Sequence, residues 1–176
     1  MSNPYFDEFQ ELREKSTFRG EQWFGKRKEL VEKYSWGIPN EEALVYLSEF
    51  DNIVEVGAGS GYWANCIEEE GGSVRATDIE PPKETFTNVK QAAVHDLDLS
   101  DKVVLSVWPP VGSSMAFYAL QQDPAHFIYV GEPRGGCTAA DSFFDTVERK
   151  YGLVARIELP SYAGANDDLY HYVRNI

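Results

Sequence analysis

The chain has 176 residues, 43% of them hydrophobic and 26% charged, which is enough for one domain with a real core and too few for two ordinary ones. Its formal net charge is −13, and because residues 1–33 carry seven basic and seven acidic side chains, the whole excess lies in residues 34–176. Duplex nucleic acid is held mainly through Lys and Arg contacts to phosphate, so a domain this acidic is a poor candidate for binding it.

No apolar run is long enough to span a membrane. The opening "MSNPYFDEFQELREK" lacks the apolar segment of a secretory signal, so a cytoplasmic location is expected. Cys66 and Cys137 stand far apart, and His95, His126 and His171 are scattered. None of these has the spacing of a zinc or haem site, and no metal is expected.

In chain order, residues 21–35 read as a helix with Trp23, Phe24, Leu30, Val31 and Tyr34 on one side. Its cluster Lys26, Arg27 and Lys28 reads as a solvated face with ion pairs to nearby acids. "SWGIPN" breaks the helix, and Asn40 is placed to cap a second one, "EEALVYLSEF". Strand and helix signals then alternate. "NIVEVG" is a strand, "GYWANCIEEEGG" a helix that stops at its glycines, and "SVRATDI" a second strand. "NVKQAAVHD" is a weak third strand and "KVVLSVW" a fourth with two buried faces, followed by the short helix "SSMAFYALQQ". "HFIYVGE" is a fifth strand. "DSFFDTVERKYG" is a helix with Ser142 and Asp145 as a capping pair. "LVARIELP" and "DLYHYVRN" close the chain as two strands around a turn containing Gly164 and Asn166.

This alternation predicts an α/β fold: a doubly wound, mostly parallel seven-stranded sheet, with one antiparallel strand from the C-terminal hairpin. Residues 1–176 form a single domain, with 1–38 as an N-terminal helical cap or lid. Ligands on such sheets sit outside the carboxyl ends of the strands. That rule gathers "GAGSG", "DIEPP", "HDLD", "WPPV" and "GEPRGG" around one site.

The first strand runs into "VEVGAGSG", with glycines at 57, 59 and 61. A dinucleotide site needs G-x-G-x-x-G, whose last glycine allows close helix packing. Here that position is Tyr62. The spacing E-x-G-x-G-x-G from Glu55, with Asp78 at the end of the second strand, instead resembles the class I S-adenosylmethionine-dependent methyltransferases. An acid at that distance would by itself also fit NAD, so the glycine spacing decides. A bare strand-to-helix turn with no ligand is the bland alternative.

The resemblance covers roughly residues 35–176. It implies that Gly57, Gly59 and Gly61 give close backbone approach to the methionine part of the cofactor, with Tyr62 following directly. Glu55 would order the loop, Asp78 would take the ribose hydroxyls, Ile79 would pack on the adenine and Asp96 would accept its amino hydrogen. Asp96 reads equally as a surface acid in a turn. Tyr34, Trp36 and Ile38 would belong to a lid.

"SVWPPV" ends the fourth strand, where related enzymes acting on amino groups often read (N/D)PP(Y/F). Here Trp108 stands first and Val111 last. Indole has no acceptor for an amine, which weakens a base- or glutamine-methylating reading. Trp108 reads evenly as a stacking platform or a core tryptophan, and Pro109 and Pro110 as rigid residues whose carbonyls face a cleft. Glu132 reads as a general base or cation site, or as a partner of Arg134. Together "SWGIPNEEAL", "VEVGAGSGYWA", "DIEPP", "WPP" and "VGEPRGGCTA" resemble a group of small methyltransferase-like proteins, a likeness that brings no substrate. The function expected is S-adenosylmethionine-dependent methylation of a small molecule or an exposed protein group. The alternative is a non-catalytic cofactor-binding or protein-interaction module on the same fold.

Overall fold

The computed structural model describes residues 3–15 and 21–175. Seven strands form one sheet: β1 (Ile53–Val56), β2 (Val74–Asp78), β3 (Val89–Gln91), β4 (Val103–Val107), β5 (His126–Gly131), β6 (Tyr151–Glu158) and β7 (Asp168–Arg174). Their order is β3-β2-β1-β4-β5-β7-β6. Strands β1 to β5 run parallel, and β7 inserts antiparallel between β5 and β6, as the terminal hairpin predicts. The order reverses on either side of β1, so a crevice opens between the tips of β1 and β4.

The strands alternate their side chains between two cores. Ile53, Leu105 and Ile128 face one core, which is covered by α1 (Pro4–Glu14), α2 (Glu21–Lys33), α3 (Glu41–Ser48) and α4 (Tyr62–Glu69). Val54, Val104 and Phe127 face the other, which is covered by α5 (Met115–Gln121) and α6 (Asp141–Lys150).

Helix α1 is an element the sequence reading did not place. Asn3 caps it by accepting the Phe6 N–H, and Tyr5, Phe9 and Leu12 bury one stripe. The Tyr62 hydroxyl at the start of α4 anchors it, donating to Asn3 Oδ1 at 2.8 Å and accepting from the Tyr5 N–H at 3.2 Å. Glu8 on its outer side accepts from Lys33 and Tyr34, which holds its carboxyl below the usual range.

Several local expectations are corrected. Phe24 is exposed rather than packed with the apolar side of α2. Lys26 and Lys28 make the expected surface ion pairs with Glu29 and Glu32. Arg27 instead lies against the rings of Trp36 and Tyr162. Asn40 does cap α3, accepting from the Ala43 N–H at 2.9 Å. Ser142 and Asp145 do not cap α6, whose N-cap is Ala140 without a side-chain bond; Asp145 is taken by Arg134 at 2.9 Å. The third strand is only three residues long, and the expected remainder becomes a 3-10 turn at Val94–Asp96. Ile38 is wholly buried in the core rather than covering the crevice.

Candidate functional site

The loop after β1 is built by backbone geometry. Gly57, Gly59 and Gly61 have φ of 71°, 53° and 72°, all left-handed. The Ala58 N–H donates to the Thr77 carbonyl and the Gly59 N–H to Asp78 Oδ2, at 2.9 and 2.8 Å, which ties the loop to the tip of β2. A Cβ at Gly59 would meet no protein atom within 4 Å, so this stretch of backbone is open to a ligand. A Cβ at Gly57 would press on Met115 Cε at 2.6 Å. The loop is also held to the segment after α2, because Ser60 Oγ donates to the Tyr34 carbonyl.

Beside this loop lies a cleft of about 390 Å³. Glu55, Gly57, Gly59, Asp78, Ile79, Trp108 and Pro109 all line it, together with Tyr34, Trp36 and Met115. Glu55 is 1% exposed, and its Oε2 has no hydrogen-bond partner. Burial pushes this carboxyl up to about 8; the Ala64 N–H opposes the shift and the charge of Asp78 adds to it. Asp78 is only part-buried, and its other oxygen accepts the Glu80 N–H at 2.9 Å. Ile79 beside it is 68% exposed and faces the cleft.

The opposite wall is the turn after β4. Trp108 takes a left-handed backbone (φ 49°), and its N–H donates to the Val130 carbonyl at 2.7 Å. Its indole N–H donates to Asp167 Oδ1 at 2.8 Å. Asp167, in the β6–β7 connection, is 3% exposed. Burial pushes its carboxyl up to about 6, against the Trp108 bond that holds it down. The ring of Trp36 stacks on that of Trp108, with centroids 5.0 Å apart and planes 14° from parallel.

The proline carbonyls are not directed into the cleft as expected. Pro109 accepts the Ala139 N–H at 2.7 Å and Pro110 the Ser113 N–H at 2.9 Å, so both stiffen the turn. Glu132 does not line the cleft. Its oxygens accept the N–H groups of Cys137 (2.6 Å) and Asn166 (3.2 Å), which clamps the β5 tip to the β6–β7 connection, while Arg134 pairs with Asp145 and Glu148. Asp96 is exposed, accepts from the Ala93 N–H and is not brought to the cleft. Gly61 and Tyr62 are buried behind the loop rather than lining it.

No protein-family model and no curated protein matches the chain. Solved structures do. Magnesium protoporphyrin IX methyltransferase (ChlM) from Synechocystis PCC 6803, with bound S-adenosylmethionine, aligns over 98% of this chain and 92% of its own, at 9% identity and a TM-score of 0.59. The N-methyltransferase NodS from Bradyrhizobium japonicum WM9, with bound S-adenosylhomocysteine, aligns over 99% and 100%, at 14% identity and a TM-score of 0.54. A 1,6-didemethyltoxoflavin-N1-methyltransferase from Burkholderia thailandensis aligns over 71% of each chain, at 15% identity and a TM-score of 0.52. The chain has the class I methyltransferase fold.

In this methyltransferase fold, one residue that lines the cleft and one that anchors its wall escaped the sequence reading. Met115 opens α5 and lies against Gly57, a contact made only by folding. Asp167 sits 59 residues beyond Trp108 in a turn where acids are commonplace, so nothing local marks it as the partner of an indole.

Proposed function

We propose that the chain is an S-adenosylmethionine-dependent methyltransferase acting on a small molecule or an exposed protein group. One observation carries this reading: Glu55 and Asp78, from neighbouring strand ends, flank the open backbone of Gly59 in one cleft, and the buried Glu55 keeps an oxygen without a partner. A buried carboxyl with an unpaired oxygen costs free energy until a donor or cation completes it. The amino acid portion of S-adenosylmethionine carries an ammonium and a sulfonium. Each Asp78 oxygen accepts one backbone N–H and retains a lone pair, which suits the two hydroxyls of a ribose. The exposed face of Ile79 suits a flat base.

The cofactor supplies a methyl group on a sulfonium carbon, open to in-line displacement. The protein's task is then to hold a nucleophile in line, for which proximity is the main requirement. The turn after β4 offers Trp108, Pro109, Pro110 and Ser113 to the cleft and no strong base, which suits a nucleophile that needs placing more than deprotonating. The solved relatives named for magnesium protoporphyrin IX and 1,6-didemethyltoxoflavin support a small-molecule acceptor. The charge balance argues against duplex nucleic acid.

The second reading is a cofactor-binding module without turnover. Its support is that Glu132 is committed to backbone N–H groups and that Trp108 has no acceptor for an amine. Incubation with methyl-labelled S-adenosylmethionine and a cell extract separates the two. Label passing to a protein or small-molecule fraction is expected; label that stays on the cofactor while the chain binds it would favour the module.

A further inference from the structure

At the acceptor end two indoles lie face to face, one rigid and one loose. Trp108 is fixed at three points: its left-handed backbone, its N–H on the Val130 carbonyl and its indole N–H on Asp167. Trp36 is 51% exposed, and its indole N–H has no partner among the described residues. Its side chain is held by the stack on Trp108 and by the Arg27 guanidinium 5.9 Å from its ring. Arg27 makes no salt bridge among the described residues.

The backbone beneath Trp36, by contrast, is locked. The Gly37 carbonyl accepts from Trp63 Nε1 at 3.0 Å and Ser35 Oγ at 2.6 Å. A Cβ on Gly37 would lie 3.1 and 3.2 Å from methyls of Val107 and Val130, so the segment sits tightly on the tips of β4 and β5. Trp36 can therefore leave by side-chain rotation without moving the segment. The cleft of about 390 Å³ is small for a cofactor and an acceptor together, so an acceptor needs the volume that Trp36 fills.

Resting on the methyltransferase reading, we propose that the acceptor is a planar aromatic or heteroaromatic molecule that displaces Trp36 and stacks in its place on Trp108. The Trp36 ring is a stand-in for such a ligand: it has the flat shape and the contact distance of an offset stack. A saturated molecule of the same size would lose the stacking contact and gain nothing for it. Trp36 then sets acceptor specificity as a competitor.

The test uses quinoline as the planar probe and decahydro-1-naphthol, uncharged like quinoline at neutral pH, as a saturated bicyclic counterpart of similar size. Each is titrated into the full chain, with and without saturating S-adenosylhomocysteine, and followed by tryptophan fluorescence and calorimetry. Trp36→Ala should bind quinoline roughly three- to tenfold more tightly, and Trp108→Ala roughly tenfold more weakly, with Trp108→Phe recovering most of the loss. Decahydro-1-naphthol should bind wild type roughly three- to tenfold more weakly than quinoline does. S-Adenosylhomocysteine binding, measured on every variant, reports an intact fold. Quinoline binding that is absent from wild type, equal in Trp108→Ala or matched by decahydro-1-naphthol, with S-adenosylhomocysteine still bound, would overturn the planar acceptor alone. Quinoline taken up on Trp108 with no S-adenosylhomocysteine binding would instead overturn the methyltransferase reading and leave a planar-ligand site.

Discussion

Glu55 concentrates the chemistry of the site in one residue. Its carboxyl is raised to about 8 by burial, so the folded chain binds this proton more tightly than the unfolded chain, whose carboxyl stays near the ordinary 4.5. The stability it contributes is complete below that ordinary value and is lost as pH rises through 8. Asp167, raised to about 6, acts with the same sign at lower pH, whereas His171, lowered to about 4, acts with the opposite sign, its contribution being lost as pH falls through that value. The difference between wild type and Glu55→Gln isolates the first. Thermal melts without ligand should show the Gln variant gaining on wild type between pH 5 and 8.5; parallel profiles would place the Glu55 proton elsewhere. At Gly59, a Cβ meets no protein atom, so Gly59→Ala should cost only the roughly 1–2 kcal/mol of a left-handed L-residue while weakening cofactor binding by an order of magnitude or more. A large loss of stability with unchanged binding would show that the loop is structural. These residues were legible because the motif lies within one strand-to-turn segment. Met115 and Asp167 were not, because their partners are set by tertiary contact.

At the scale of elements, β1, β4 and β5 were readable as short apolar runs closed by glycine or proline turns, and β2 as a short segment bounded by Gly71–Gly72 and Pro81–Pro82. The third strand was not, since three residues carry too little pattern and β3 exists by pairing with Ala76, Thr77 and Asp78. Helix α1 was missed although Tyr5, Phe9 and Leu12 follow a helical stripe, because charged residues dominate the segment. The capping pair on α6 failed because Arg134 supplies Asp145 with a stronger partner. Tyr62, counted on the cofactor side by sequence, bridges α4 to α1 in the fold. Tyr62→Phe would leave the buried Tyr5 N–H without its partner, at a cost of about 1–3 kcal/mol, and should speed amide exchange in α1 while sparing cofactor binding. Loss of binding as severe as in Asp78→Ala would return Tyr62 to the cofactor side.

At the scale of the molecule, the alternating pattern predicted both the sheet and its crevice, and the −13 charge shapes what approaches it. Self-repulsion of this kind is screened by salt, so the melting temperature should rise between about 10 and 150 mM salt, and a DNA duplex should not be retained even at the lower value. Retention that fades with salt would reveal a basic face hidden by the net charge. The central claim is that the crevice between β1, β2 and β4 takes S-adenosylmethionine. Calorimetric titration with S-adenosylhomocysteine tests it most directly. Saturable one-to-one binding is expected in wild type, weakened roughly ten- to hundredfold in Asp78→Ala by the loss of charge-assisted hydrogen bonds, with no binding of NAD. No heat from S-adenosylhomocysteine, or equal affinity in Asp78→Ala, would contradict the assignment.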